Sequence, residues 1–514
     1  MKQALGILIV AVFSLTSFGT ENPNVIVIYA DDLGYGDVQC YNPEKGKIPT
    51  PHVDRLASEG MRFTDAHSSS AVCTPSRYTL LTGRYHWRTR LQRGIVGLWG
   101  APVIDENRMT LGKLAQQSSY DTACIGKWHL GWNWAISPED KPFFARPKEP
   151  KTSVVEATDS HRAAWKRTFS QPIGGGPTTR GFDEYFGTDV PNWPPYCFIE
   201  NDRTVGIPSE YASPELFRPN QASIQGPALP GWTLEPTLPA LGDRAVEWIE
   251  RKAAGDTPFL LYLSLTSPHT PLSVNDEWKG KSGLGAYADL VMETDGIVGR
   301  VLEALEKNGV SDNSLVLFTS DNGCAHYIGV KELEKAGHFP SGPLRGYKSD
   351  VWEGGHRVPF IVRWPDVVKP NTVSDALVHQ ADVFATFAEI LDMELSPEAG
   401  VDSFSFLELL KGGVEPTRTN AVSCSINGLP SFRLGSWKWI PGKGSGGWTK
   451  GGDGTTQQLY DLGKDLGETE NLAGTNPDRL KSMAEEMEKL IAEGRSTPGP
   501  KQSNDVSVIR YPRN

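Results

Sequence analysis

Three short stretches of this chain are apolar almost without a break, and each stops at polar groups. They are Asn24 to Ala30, then Pro258 to Leu265, then Leu315 to Ser320. Runs this short, rich in branched residues and without alternation, suit strands buried on both faces. Asp31-Asp32 follows the first, Ser267-Pro268-His269 the second and Asp321-Asn322-Gly323 the third. In open α/β sheets ligands gather at the carboxyl ends of the strands, where these groups stand. Between the runs lie stretches with helical spacing: Pro51 to Gly60, Asp243 to Lys252 and Ala286 to Asn308. Alternation of strand and helix predicts a large, mostly parallel sheet sandwiched by helices.

At 514 residues the chain exceeds one minimal domain. Its character changes after Lys411-Gly412-Gly413. Short strands are expected at Asn420 to Ile426, Ser431 to Leu434 and Trp437 to Ile440. A glycine-rich connection, Gly442 to Gly454, leads to Gln458-Leu459-Tyr460-Asp461, and an amphipathic helix from Pro477 to Glu493 follows. The expected division is a large domain over 21–413 and a small α+β domain with a short antiparallel sheet over 414–514. Residues 135–240, rich in Pro, Gly and Trp with little periodicity, read as long loops shaping a cleft.

Residues 1–20 read as an address. A basic start precedes an apolar run from Ala4 to Phe18, shorter than the about 20 residues of a membrane span. Small residues follow at Ser17 and Gly19, the pattern of a cleaved signal peptide, so an exported protein without stable membrane insertion is expected. A formal net charge of −11 makes nucleic acid a poor partner. Six cysteines in this length are too few for a disulfide scaffold.

One of those cysteines stands apart. Cys73-Thr74-Pro75-Ser76-Arg77 leads into Leu80-Leu81-Thr82-Gly83-Arg84 with helical spacing. A cysteine at a helix N-terminus beside an arginine would be an activated thiolate; the plainer alternative is a buried structural cysteine. The two aspartate-containing pairs offer hard oxygen ligands, and no Cys/His cluster suited to zinc occurs.

The Cys-x-Pro-Ser-Arg and Leu-Thr-Gly-Arg segments resemble the signature of the type I sulfatases. The resemblance runs from about Asn24 to Leu472. It implies an alkaline-phosphatase-like fold and oxidation of Cys73 to Cα-formylglycine by a formylglycine-generating or sulfatase-maturing enzyme. It also implies one calcium ion held by Asp31, Asp32, Asp321, Asn322 and the residue at Cys73. Gly126-Lys127-Trp128-His129-Leu130-Gly131 resembles a further family element, with Lys127 on the sulfate and His129 as base. Pro268-His269-Thr270-Pro271 supplies a histidine facing the leaving oxygen. Leu344-Arg345-Gly346-Tyr347-Lys348 supplies a second sulfate-binding lysine, Lys348.

The implied reaction is hydrolysis of a sulfate monoester. The anion is neutralised by Arg77, Lys127, Lys348 and the metal. A hydroxyl of the hydrated aldehyde attacks sulfur, His269 protonates the departing alcohol, and His129 then takes a proton as sulfate leaves. Substrates would be an O-sulfated saccharide or an aryl sulfate. Trp132, Trp134 and Trp193, and the cluster Arg88, Arg90 and Arg93, are candidate sugar contacts. A polar pocket residue within 135–240 is implied but has no recognisable anchor; Arg180 to Gly187 resembles a fold element only. Two other readings stay open: a phosphate or phosphonate ester hydrolase on the same scaffold, and a silent sulfoglycan-binding protein if Cys73 is never oxidised.

Overall fold

A computed structural model describes residues 22–148, 153–217, 223–452 and 454–510. The address segment 1–20 lies outside the described residues. The three apolar runs form neighbouring strands. Asn24–Ala30 is central, parallel to Phe259–Ser264 on one side and to Ser314–Ser320 on the other. Every residue of the three strands is buried. The side chains divide by alternation: Val25, Val27 and Tyr29 enter one core, Ile26, Ile28 and Ala30 the other. Each of the valine and isoleucine side chains among them stabilises the fold by roughly 1.5–3 kcal/mol of apolar burial.

Parallel pairing continues outward through Asp121–Lys127 to Glu184–Thr188. On the other flank Phe360–Arg363 runs antiparallel to Ser314–Ser320, and Met61–Phe63 and Thr372–Ser374 complete that edge. With the short strands Ile199–Glu200 and Arg203–Thr204 the sheet reaches ten. Helices Pro51–Ser58, Thr237–Ala253 and Ala286–Lys307 pack on one face. Cys73–Thr82, Leu111–Gln117 and Asp382–Ile390 cover the other. The expected sandwich of helices around a mostly parallel sheet is what the chain forms.

Towards the C-terminus Asn420–Cys424, Pro430–Leu434, Trp437–Ile440 and Gln458–Asp461 make an antiparallel four-stranded sheet. Helix Pro477–Glu493 buries Met483, Leu490 and Ile491 against Val422, Phe432 and Leu459. Tyr85 and Trp87, from just beyond helix Cys73–Thr82, belong to this same core.

One expectation fails. The 135–240 region is not simply loops: it holds helix Asp159–Phe169, the central-sheet strand Glu184–Thr188 and the start of Thr237–Ala253. Glycine at 187 hid the strand, since strand interiors usually avoid it. Here it is required, because a Cβ on Gly187 would lie 1.9 Å from the Gly126 carbonyl oxygen. All six cysteines are unpaired.

Candidate active site

The parallel strands end at one edge of the sheet and deliver their polar successors to one place. Asp31 and Asp32 leave Asn24–Ala30, and Asp321 and Asn322 leave Ser314–Ser320, in direct register Ala30 to Ser320. Lys127 ends the strand Asp121–Lys127, and His269 lies beyond Phe259–Ser264. Asp31, Asp32, Asp321, Asn322, Arg77 and Lys127 are wholly buried, and Cys73, His129, His269 and Lys348 nearly so. Asp32 and His129 hold left-handed backbone, φ 64° and 51°, which other residues usually avoid. Such tension concentrates at functional centres.

Local chemistry explains the cysteine motif. Cys73 is the first residue of its helix, and Pro75 falls in the first turn, where N–H groups lack helical partners anyway. Ser76 Oγ donates to the carbonyls of Ser70 and Val72, at 2.9 and 3.0 Å, pinning the preceding loop. Gly83 ends the helix at φ 61°; a Cβ there would meet Phe384 and the Gly400 Cα at 2.9 Å.

Arg77 reaches across to the two carboxylates. Its Nη2 lies 2.7 Å from Asp321 Oδ2 and 3.4 Å from Asp31 Oδ1. Nε donates to Asp321 at 3.1 Å, and Nη1 to Ser264 Oγ and the Lys127 carbonyl. Lys127 Nζ contacts both Asp31 oxygens, at 2.8 and 3.0 Å. Lys348 Nζ donates to Asp32 Oδ2 at 2.6 Å, and His269 Nε2 lies 3.6 Å from the same oxygen. Burial alone would raise Asp31, but Lys127, then His269 and Arg77, hold it well below the carboxylate range. Asp321 goes the other way, raised by burial and then by Asp31.

Cys73 Sγ lies 3.2 Å from Nδ1 of His129. Nε2 of that ring faces the Val96 carbonyl at 3.1 Å and can only donate there, so neutral His129 presents a bare Nδ1 to residue 73. Burial, then Lys127, lowers His129 to about 3, keeping it neutral. His269 is lowered to about 4, by burial and then Lys348. Its Nδ1 lies 2.5 Å from the Thr270 carbonyl, leaving Nε2 towards Asp32.

The acidic cluster suits a hard cation. Asp31, Asp32 and His269 bring ligand atoms within 4.8 Å of one another. Asn322 donates through Nδ2 to Asp32 Oδ1 at 2.8 Å, while its buried Oδ1 has no partner. A buried carbonyl oxygen without a donor is costly unless a ligand completes it. Carboxylate and amide oxygens are calcium or magnesium donors.

The sulfatase family model matches residues 23–393. The chain belongs to the sulfatase family. It is similar to an N-acetylgalactosamine-6-O-sulfatase of Bacteroides thetaiotaomicron, 32% identical over 92% of this chain and 93% of that one. A steryl-sulfatase of Rattus norvegicus is 30% identical over 83% of this chain and 76% of its own length. Among solved structures, a sulfatase from the glycosaminoglycan metabolism of Bacteroides thetaiotaomicron superposes with a TM-score of 0.76 at 30% identity, covering 91% of this chain and 99% of that one. The protein is therefore a sulfuric ester hydrolase on an alkaline-phosphatase-like scaffold.

Within the sulfatase site some partners escaped the sequence. Ser264 accepts from Arg77 and donates to the Lys127 carbonyl at 2.7 Å. Asp189, half-buried just after Glu184–Thr188, accepts from Trp132 Nε1 at 3.1 Å and acts electrostatically on His129. A polar residue directly after a strand was the available signal, lost with the strand itself. The proposed sugar contacts mostly dissolve. Trp132 is interior, and Trp134 packs on Trp99 and Phe169. Trp193 meets the His129 ring edge-on at 5.6 Å. Arg88 is buried against Asp402 at 2.8 Å, and Arg90 donates to the carbonyls of Ala101 and Pro102. Arg90 and Arg93 are both exposed, and among the described residues neither forms an ion pair with a carboxylate.

Proposed function

We propose that this sulfatase cleaves O-sulfate from a saccharide, with Cys73 oxidised to Cα-formylglycine by a sulfatase-maturing enzyme. The hydrated aldehyde would supply two hydroxyls on one carbon, one to bond sulfur and one to release it. Asp31, Asp32, Asp321 and Asn322 would hold calcium, which would offset the charge of the bound ester. What supports the reading is the contact between residue 73 and the bare nitrogen of His129. His129 there accepts a proton from residue 73 when sulfate departs. Lys127 and Lys348 place ammonium charge at the same edge, against the anionic ester. His269, whose Nδ1 faces the Thr270 carbonyl, would use Nε2, once protonated, to donate to the leaving oxygen. Arg77, with every donor engaged, positions Asp321 and Asp31 and need not touch substrate. Residues 1–20 would direct export and then be removed.

The experiment is a desulfation screen over defined sulfated saccharides, alongside mass spectrometry of the peptide bearing residue 73 from exported protein. Formylglycine appears as loss of hydrogen sulfide with gain of one oxygen. Turnover of aryl phosphate in preference to every sulfate ester, or an exclusively unmodified thiol in active protein, would overturn the proposal. Cys73→Ser lacks the second hydroxyl and should stall as a sulfated enzyme after one turnover. Sustained multiple turnover by that variant excludes this role for residue 73.

A further inference from the structure

Exposed aromatic rings are scarce here. Among the described residues the large apolar side chains open to solvent include two aromatics, Tyr327 at 40% and Trp448 at 36% exposure. They adjoin each other, with centroids 5.9 Å apart, and His326 completes a trio at 5.3 Å from Tyr327 and 6.0 Å from Trp448. His326 is exposed as well. The three come from distant parts of the chain. His326 and Tyr327 follow the strand that carries Asp321, and Trp448 sits in the glycine-rich connection of the C-terminal sheet.

Both elements are tied to the catalytic edge. Trp448 N donates to Ser349 Oγ at 2.9 Å, one residue beyond Lys348. Thr449 N reaches Asp350 Oδ1 at 3.2 Å, and Val351 N donates to the Ser445 carbonyl at 2.8 Å. Gly447 lies flat on the same segment: a Cβ there would stand 2.3 Å from the Ser349 carbonyl oxygen. A connection with so many glycines is thereby fixed. Burial raises the Tyr327 hydroxyl, and the charges of Lys348 and Asp32 reach it.

We infer that His326, Tyr327 and Trp448 form the wall of a sugar subsite, on which the pyranose ring carrying the scissile sulfate stacks. This rests on the saccharide reading above. Aromatic faces carry the negative part of the ring quadrupole and attract the slightly positive C–H groups on one face of a pyranose. The three rings are open to solvent and tilted to one another, by 43° between Tyr327 and Trp448 and by 62° between His326 and Trp448, so they offer an open surface and not an enclosed slot. That suits a ring with one apolar face and a hydroxylated rim. An aryl or steroid ring is better served by an enclosed apolar slot, where both faces lose water.

The test uses the matured full-length enzyme with N-acetylhexosamine 6-sulfate and related monosaccharide sulfates, and inorganic sulfate as inhibitor. Trp448→Ala should raise KM about tenfold with kcat within about twofold, in line with the loss of one stacking partner. Trp448→Phe should restore most of the loss. Tyr327→Ala should behave like Trp448→Ala. The Ki of inorganic sulfate, which has no ring, should stay unchanged in all of them. Unchanged KM in both alanine variants, with the wild type active on saccharide sulfates, overturns the wall alone. A fall in sulfate affinity matching the rise in KM overturns it too, by placing the effect in the sulfate pocket. Wild-type turnover of aryl or steryl sulfates but of no saccharide sulfate overturns the saccharide reading and the wall together.

Discussion

Asn322 Oδ1 shows how one atom constrains a site. The amide nitrogen beside it is engaged with Asp32, yet the oxygen is buried and unpartnered. Around it stand three carboxylates whose cationic partners are Arg77, Lys127 and Lys348. If calcium is the ion and binds only the folded form, it would stabilise that form by about 2.7 kcal/mol at a hundredfold excess over Kd. The melting temperature of chelator-treated protein should therefore rise on adding calcium, and Asn322→Ala should shrink that rise. A wild-type melting temperature indifferent to millimolar calcium and magnesium would contradict the ligand set. At this scale the sequence was legible. Each of Asp31, Asp32, Lys127, His269, Asp321 and Asn322 sits at or just after the end of an apolar run or in a short motif. The hydrogen bonds that tune them were not. Val96 contributes a backbone carbonyl to His129, and any residue type carries one.

Elements show why certain small residues recur in the motifs. Gly126 precedes Lys127, with φ 119°, and a Cβ would lie 1.8 Å from the Ser264 carbonyl oxygen. No side chain fits unless the strands Asp121–Lys127 and Phe259–Ser264 part, and parting them displaces Lys127. Gly126→Ala should cost more than about 3 kcal/mol, at the severe end of point substitutions, read as a large fall in melting temperature or loss of soluble protein. A different element carries a pH response. Lys438, on Trp437–Ile440, bridges Glu353 at 2.9 Å and Glu468 at 2.8 Å, all three buried. One ammonium can hydrogen-bond both carboxylates but cannot neutralise both, and it is Glu353 that has a further cation, Arg357 at 3.2 Å. Burial alone would raise Glu353, but Lys438, then His67, His356 and Arg433, together hold it well below its ordinary value. Glu468 is raised by burial to about 7. Folded Glu468 thus keeps its proton at pH values where the unfolded chain has released it. Its contribution to stability is whole below the unfolded value near 4.5 and is lost as pH rises through about 7. Glu468→Gln, which cannot ionise, should flatten the fall in melting temperature between pH 4.5 and 7, an effect of up to roughly 3 kcal/mol. An unchanged pH profile in that variant would remove Glu468 as its source.

At the scale of the whole molecule, two regions distinguishable in sequence are one body in space. The change of character near residue 413 is real in composition, but the C-terminal sheet is completed by residues from far upstream. Cys424 N donates to the Ser69 carbonyl and Ala71 N to the Cys424 carbonyl, at 2.9 and 2.8 Å, on the loop that leads into Cys73. Ile426 N donates to the Ser349 carbonyl at 3.0 Å, beside Lys348. Tyr85 and Trp87 fill the core between that sheet and helix Pro477–Glu493. Buried Arg418 pairs with buried Asp382 at 2.8 Å across the same seam. No local period encodes such pairings, because the partners lie more than 300 residues apart in places, as Tyr85 and Val422 do. Removing the C-terminal region would expose this apolar core and strand the Asp382 carboxylate, so the large region should not fold alone. Thermal unfolding should be one transition, coincident by calorimetry and by tryptophan fluorescence. Arg418→Ala, which leaves a buried charge unpaired, should move the entire transition down, by roughly 3–5 kcal/mol, and not split it. A fragment of residues 21–413 with its own sharp melt, or a separate C-terminal transition in Arg418→Ala, would show two independent bodies. Coincident loss would mean instead that the loops bearing Cys73 and Lys348 hold their places only while the C-terminal sheet is folded, so the catalytic edge is a property of the whole chain.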